Sequence, residues 1–177
     1  MTANLCYNKT IMEGKKSQVL SQPRAILVFG APASGKTTFC EKFSQQFRAP
    51  YYNLTEICEE NNFSRDTMLN ILQLIARTGQ NIIIEGGLNT QADREEIKKI
   101  LSEEGYNPSL IWIQTDVNTI KSRLKARLKS VARAKEEYDH KISELEAPDE
   151  ASEKPIVLSG KQTFEMQLSQ TLSHLAG

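Results

Sequence analysis

The segment "RAILVFGAPASGKTT", Arg24 to Thr38, constrains this chain more than any other. "RAILVFG" is a short apolar run stopped by glycine, the signature of a buried strand. The loop "GAPASGKT" (Gly30, Ala31, Pro32, Ala33, Ser34, Gly35, Lys36, Thr37) matches G-x-x-x-x-G-K-[ST] without a mismatch, and Thr38 comes next. Phe39, Phe43 and Phe47 then recur every four residues, so the loop opens a helix with one apolar face. Strand, glycine-bearing loop and helix N-terminus together turn successive backbone N–H groups toward an anion. In such a loop Lys36 reaches β- and γ-phosphates and the Thr37 hydroxyl is offered to Mg²⁺.

The rest of the chain supplies the partners of that loop. Apolar or short strand-like runs recur at "PYYNL", "NIIIE", "SLIWIQT" and "IVLSG", and helical patterns alternate with them. "SRDTMLNILQLIARTG" has Ser64 as N-cap and Gly79 as stop, and "TQADREEIKKILSEEG" closes at Gly105. The pattern predicts one long charged helix from Val117 to about Glu144, then a loop "EAPDEASEKP", and a last helix from Phe164 to Leu175. Alternation of this kind, with nearly all-apolar strands, predicts an α/β fold: a parallel five-stranded sheet covered by helices on both faces. Residues 1–22 are polar and weakly patterned and read as an N-terminal extension, in part disordered, and 23–177 as one domain.

Composition excludes several classes. The 177 residues carry 22 Lys+Arg and 22 Asp+Glu, so nucleic-acid binding would need a local basic patch. No apolar run has membrane-spanning length, and the N-terminus has no signal-peptide h-region. Cys6, Cys40 and Cys58 form no CxxC pair. They read as packed thiols in a reducing cytoplasm rather than a disulfide framework or zinc site. A guanine-reading N-K-x-D motif is absent. "LSGKQ" (Leu158 to Gln162) mimics the signature of transporter ATPases but lies beyond the acid at Glu85 instead of before it.

Five segments carry a resemblance: "GAPASGKTT", "IIIEGGLN" followed by Arg94, "SRLKAR", the "EAP" loop and "VLSGKQTFEMQ". From Arg24 onward the chain resembles the small P-loop kinases, the adenylate, gluconate and shikimate kinase group. Within that group it is most like the polynucleotide-kinase-like branch of AAA-type ATP-binding domains. The resemblance implies a three-layer P-loop NTPase fold with a helical lid over about 121–147. It also implies an ATP- and Mg²⁺-dependent phosphotransferase acting on a hydroxyl.

Several residues take expected roles from it. Glu85 stands where the family usually has the Asp of its metal site. Independently, an acid at the carboxyl end of a parallel strand lies in the crevice where such sheets bind ligands. Gly86 and Gly87 would admit phosphate or acceptor close to the backbone. Glu56 matches the carboxylate that assists acceptor deprotonation, the competing reading being an exposed acid at a helix start. Arg123 and Arg127, four residues apart on one side of a helix, match the lid arginines that stabilise transferring charge. Ile120, Leu124, Leu128 and Val131 would form that helix's apolar stripe.

Arg94 is either a substrate contact or a partner for local acids. Ser159, Gly160 and Lys161 lie where small kinases wrap adenine with backbone. Glu59 and Glu60 read as solvent-facing. The acceptor stays open between a nucleotide, a sugar or other small metabolite, and a nucleic-acid 5′-hydroxyl. A second functional class stays open too: an ATP-binding switch without acceptor chemistry, motivated by Glu in place of Asp.

Overall fold

The computed structural model describes residues 22–176, so the N-terminal extension, apart from Gln22, and Cys6 within it lie outside the described residues. Five parallel strands form one sheet: β1 (Arg24–Phe29), β2 (Tyr51–Asn53), β3 (Ile82–Glu85), β4 (Asn107–Gln114) and β5 (Ile156–Ser159), in the order β2-β3-β1-β4-β5. The glycine-bearing loop leaves the central strand β1. The register pairs Val28 with Glu85 and Glu85 with Asn53, so the ends of three strands converge beside that loop.

Helices cover both faces: α1 (Lys36–Phe47), α2 (Leu54–Asn61), α3 (Arg65–Ala76), α4 (Gln91–Glu103), α5 (Val117–Leu128), α6 (Val131–Ser143), α7 (Glu150–Glu153) and α8 (Phe164–Leu175). Odd and even strand residues point to opposite faces. Leu27, Ile82 and Ile84 therefore join Leu54, Leu72, Ile97 and Leu101 in one core, under α2, α3 and α4. Ile26, Val28, Ile83 and Ile111 join Phe39 and Phe43 in the other, under α1 and α8. This is the three-layer α/β architecture expected from the alternating pattern.

Four features depart from expectation. The long helix predicted from Val117 to Glu144 is two helices. Lys129 takes a left-handed conformation (φ 52°), and the Ser130 hydroxyl accepts from the Arg133 N–H, capping a fresh start. The two helices pack together over a small core of Ile120, Leu124 and Ala134, forming a helical hairpin in the place expected for the lid. Val131 belongs to the second helix and is 64% exposed, so the apolar stripe ends at Leu128. Finally, α2 begins directly at the end of β2, with Asn53 both the last strand residue and the helix cap, and part of the "EAPDEASEKP" loop coils into α7.

Candidate active site

The helix after the glycine-bearing loop is capped unlike the others. Each of α2 to α8 has an Asn, Ser, Thr or Asp at its N-cap whose side chain accepts a backbone N–H. The N-cap of α1 is Gly35 (φ 113°), with no side-chain cap and no acid in the first turn. Its leading N–H groups therefore have no internal acceptor and lie beside the Lys36 ammonium. Helix dipole, free donors and a lysine combine into a site for an anion. Lys36 Nζ donates to the Ala31 carbonyl at 3.0 Å. Burial pulls the Lys36 pKa below its ordinary 10.5, and Glu85 opposes that pull.

Glu85 stands at the seam. It is only 5% exposed. The Thr37 hydroxyl donates to its Oε1 at 3.0 Å and the Tyr51 hydroxyl to its Oε2 at 2.5 Å. Hydroxyl and carboxylate oxygens this close suit a hard divalent cation such as Mg²⁺. Among the described residues no cluster of three or more His, Cys, Asp or Glu side chains is placed to hold a metal by itself, so such a cation would draw its remaining ligands from phosphate and water.

Two clefts meet at this seam. One, of 650 Å³, runs along α1 toward α8; Lys36, Thr37, Thr38, Lys42, Arg123, Arg127, Gly160 and residues 162–165 line it. The other, of 430 Å³, opens toward α2 and α6 between Gly30, Pro32, Asn53, Thr55, Glu56, Glu85, Gly86 and the outer residues Glu59, Glu137 and Lys141. Lys36 and Thr37 line both. A group bound along α8 and a second group beside α2 would thus face each other across Lys36.

The predicted site residues fall around these clefts unequally. Ala33, Gly35, Lys36, Thr37 and Thr38 line the α8-side cleft, while Gly30 and Pro32 line the α2-side one. Ser34 is fully buried and forms wall rather than lining. Ala31 faces a third hollow, against Trp112 and Tyr138, and there Ser159 and Lys161 join it. Of the "SGK" turn only Gly160 lines the α8-side cleft, where Gln162, Thr163, Phe164 and Glu165 join it. The Lys161 ammonium pairs with Asp116, the N-cap of α5, at 2.6 Å.

Arg123 is committed to backbone. It donates to the carbonyls of Ala33 (3.0 Å), Ser34 (3.1 Å) and Gly160 (2.9 Å), tying the phosphate loop to the turn after β5. Arg127, one turn on, lines the α8-side cleft and pairs with Glu137 across the hairpin. Arg94 is 0% exposed: it forks onto both Glu153 oxygens (2.7 and 2.9 Å), and its Nη1 donates to the carbonyls of Leu88, Asn89 and Glu146. Of its two readings, the partner for acids is the one that holds, although that acid, Glu153, lies 59 residues away.

Gly86 and Gly87 also permit close packing. A Cβ on Gly86 (φ 86°) would sit 2.4 Å from Thr55 Oγ1, and one on Gly87 would sit 3.1 Å from Met68. The glycines let α2 and α3 close on the end of β3. Glu56 is exposed and lines the α2-side cleft, but so do Glu59, Glu137 and Lys141, with Lys141 Nζ 3.7 Å from Glu59. Sequence reasoning missed these last three and Tyr51. Only the i, i+3 spacing of Glu56 and Glu59, which puts both on one helix face, hinted at any of them.

Comparison with known proteins agrees with this architecture. The sequence profile of the zeta toxin family matches residues 60–151. No curated protein matches by sequence. Among solved structures, a gluconokinase from Sinorhizobium meliloti 1021 is similar with a TM-score of 0.66 at 14% identity, covering 88% of this chain and 93% of that one. The Mycobacterium tuberculosis APS kinase, solved with AMPPNP and APS, has a TM-score of 0.61 at 15% identity, covering 88% and 99%. Chaetomium thermophilum Kti12, solved with ADP-AlF3, has a TM-score of 0.62 at 12% identity, covering 82% and 98%. No helix among the described residues is long and apolar enough to cross a membrane. By its profile match and its β2-β3-β1-β4-β5 sheet, the chain belongs to the zeta toxin family, within the small P-loop kinase superfamily.

Proposed function

We propose that this protein is an ATP-dependent phosphotransferase that moves the γ-phosphoryl group to a hydroxyl acceptor. The observation that carries the reading is the Thr37–Glu85 contact of 3.0 Å at the junction of two clefts that share Lys36. A nucleotide lying along the α8-side cleft puts its base near residues 162–165 and its phosphates on the uncapped start of α1. The acceptor occupies the α2-side cleft, in line with the β–γ bond.

In this scheme Lys36 leaves the Ala31 carbonyl for the β/γ-phosphates. Thr37 and Glu85 would hold Mg²⁺, which when bound neutralises phosphate charge. Arg123 keeps the phosphate loop and the Gly160 turn in register, and Arg127 exchanges Glu137 for charge developing on the transferred group. The acceptor oxygen forms a bond to γ-phosphorus while the bond from phosphorus to the bridging oxygen breaks and ADP departs. The acceptor proton goes to the Glu56 carboxylate, which lines the cleft without sharing the Thr37 and Tyr51 hydrogen bonds of Glu85.

The test is transfer from γ-labelled ATP to a panel of nucleosides, sugars, oligonucleotides and protein, with Lys36→Ala alongside. The reading expects labelled acceptor from wild type and a loss of about 10²–10³-fold or more in the variant, as for removal of a charge-stabilising donor. Equal transfer by Lys36→Ala overturns it. ATP binding with a conformational change but no transfer to any acceptor would make the protein a nucleotide switch instead.

A further inference from the structure

The strand ends opposite the phosphate loop enclose a further hollow, of 450 Å³, with a basic lining. We propose that it binds a small polyanion, a molecule bearing more than one phosphate or carboxylate group and no nucleobase, independently of phosphoryl transfer. Arg24 enters it from the start of β1, Lys98 from α4, Lys154 from the turn into β5 and His174 from the last turn of α8. Elements far apart in sequence thus bring their basic side chains to one cavity.

The hollow exists because the strands start unevenly. Strand β4 begins with Asn107 beside Arg24, whereas β5 begins only with Ile156, opposite Ile111. Residues 107–110 therefore pair with β1 on one side and with no strand on the other. An extended peptide would find this open edge blunted. The Asn107 N–H donates to the Pro23 carbonyl on the β1 side, so Pro108 faces the open edge and has no N–H to offer there. A compact ligand needs no such ladder bond.

The charge in the hollow is uncompensated. Among the described residues, none of the four basic side chains forms an ion pair. Glu153 is the single carboxylate of the lining, and both its oxygens are taken: Arg94 donates to each, and the Asp149 N–H donates to Oε2. Arg24 and Lys98 are half-buried, which separates this cluster from ordinary lysines on a solvated face. Burial lowers the Lys98 pKa from its usual 10.5; Glu153 and Glu95 oppose that, and Arg94 adds to it. Such an ammonium has lost water without gaining a counter-ion, and a bound anion would supply one.

The same lining sets the ligand class. A guanidinium fork and ammonium groups suit phosphate or carboxylate oxygens, and Asn107 and Ser109 add neutral polar groups. The volume is that of a small-molecule pocket. No aromatic side chain lines it, so a nucleobase would have nothing to stack on.

The experiment fills the phosphate loop first, with Mg²⁺ and saturating AMPPNP, so that added anions do not report on Lys36. Melting temperature and titration calorimetry are then recorded with fructose 1,6-bisphosphate, citrate, uridine monophosphate, and KCl at matched ionic strength. The bisphosphate or citrate should bind once per chain and raise Tm by about 3–6 °C at tenfold its dissociation constant, with no such rise in KCl. The tighter of the two tells phosphate from carboxylate as the natural group. Lys98→Gln combined with Lys154→Asn should weaken that binding by at least tenfold, while the Tm before anion is added stays at or above wild type because like charges have been removed. Asparagine suits the left-handed backbone of Lys154 (φ 46°). Arg24→Gln alone should also cost about tenfold in affinity, which keeps the test decisive if the double variant fails to fold. Binding of equal affinity in these variants, or no shift beyond that of KCl, overturns the site. Uridine monophosphate binding more tightly than both polyanions overturns the ligand class.

Discussion

Tyr51 donates its hydroxyl to Glu85 Oε2 at 2.5 Å, on the opposite oxygen from the one held by Thr37. Glutamate at the end of β3 carries one methylene more than aspartate and so one more rotatable bond. Tyr51, half-buried on the edge strand β2, removes that freedom by pinning the far oxygen. Burial and the neighbouring Glu85 push the phenol pKa well above its usual 10, so it stays a donor throughout the physiological range.

Tyr51→Phe should therefore weaken metal dependence rather than nucleotide binding. Groups that orient a metal-site carboxylate typically change metal affinity or activity by about 10–100-fold. We expect the Mg²⁺ concentration for half-maximal activity to rise about tenfold, with ATP affinity in the absence of metal unchanged. Glu85→Gln should lose activity outright, while Glu85→Asp combined with Tyr51→Phe should retain more activity than Tyr51→Phe alone. An unaltered Mg²⁺ requirement in Tyr51→Phe would reduce the contact to packing.

The two arginines of α5 should separate in kinetics. Arg123 holds three carbonyls of the phosphate loop and the β5 turn, so Arg123→Ala should raise KM for ATP and lower thermal stability together. Among the described residues, Arg127 bonds to no loop carbonyl and pairs with the Glu137 carboxylate across the hairpin. Arg127→Ala should lower kcat about 10²-fold with KM for ATP nearly unchanged. Steady-state kinetics on both variants decides it; equal losses in both constants would mean that both arginines only bind.

Much of the fold and the phosphate loop is legible in the residues alone. Strands such as "AILVF" and "III" (Ile82 to Ile84) are buried on both faces, so their apolar runs stand out, and the phosphate loop is a local motif whose geometry its own residues dictate. The hidden features depend on contacts distant in sequence. The break at Lys129 has no glycine or proline to announce it, only a serine that becomes a cap once the hairpin folds. Arg94 is ambiguous in the sequence because its carboxylate partner is 59 residues away. Glu59 reads as a surface acid because Lys141, opposite it, belongs to a helix about 70 residues further on.

ATP binding should weaken as pH rises, and should start to do so below the range of an ordinary lysine. The uncharged form of Lys36 cannot serve the β/γ-phosphates, and burial lowers its pKa from 10.5. Affinity is full below the depressed pKa and falls as pH climbs through it. Lys36→Arg, which stays charged, should show weaker binding at neutral pH but a flat profile. Titration calorimetry across alkaline pH is the measurement, and parallel profiles for the two proteins would contradict the assignment.

Gly160→Ala should disconnect the turn after β5 from the phosphate loop. A methyl group there would lie 2.0 Å from the Ser34 carbonyl oxygen and 2.2 Å from Thr115 Oγ1, and the first is backbone that cannot swing away. The seam must open, breaking the Arg123 bond to the Gly160 carbonyl and the Thr115 bond to Ser34. ATP affinity should drop by at least tenfold while the far core under α3 and α4 is untouched. Hydrogen exchange confined to residues 31–35 and 159–163 would locate the damage; unchanged exchange and affinity would refute it.

The Arg94–Glu153 pair should govern stability and not chemistry. Both side chains are sealed, at 0% and 3% exposure, and the guanidinium also lies 4.7 Å over the Phe29 ring. Removing one partner leaves a buried charge without its counter-charge, which costs about 3–5 kcal/mol. For a domain of this size that lowers Tm by about 6–20 °C. Glu153→Gln should show this loss with kcat nearly normal at low temperature, whereas a substrate-binding Arg94 would have predicted lost activity on Arg94→Lys with stability intact. Acid adds a second readout. The hydrogen bonds from Arg94 hold the Glu153 pKa below its usual 4.5, so the folded state keeps the carboxylate ionised where the unfolded chain would protonate it. The stabilisation is present above 4.5 and is lost as pH falls through the depressed folded value. Wild type should therefore shed Tm steeply in that acidic window, and Glu153→Gln, already lacking the carboxylate, should show a shallower slope there.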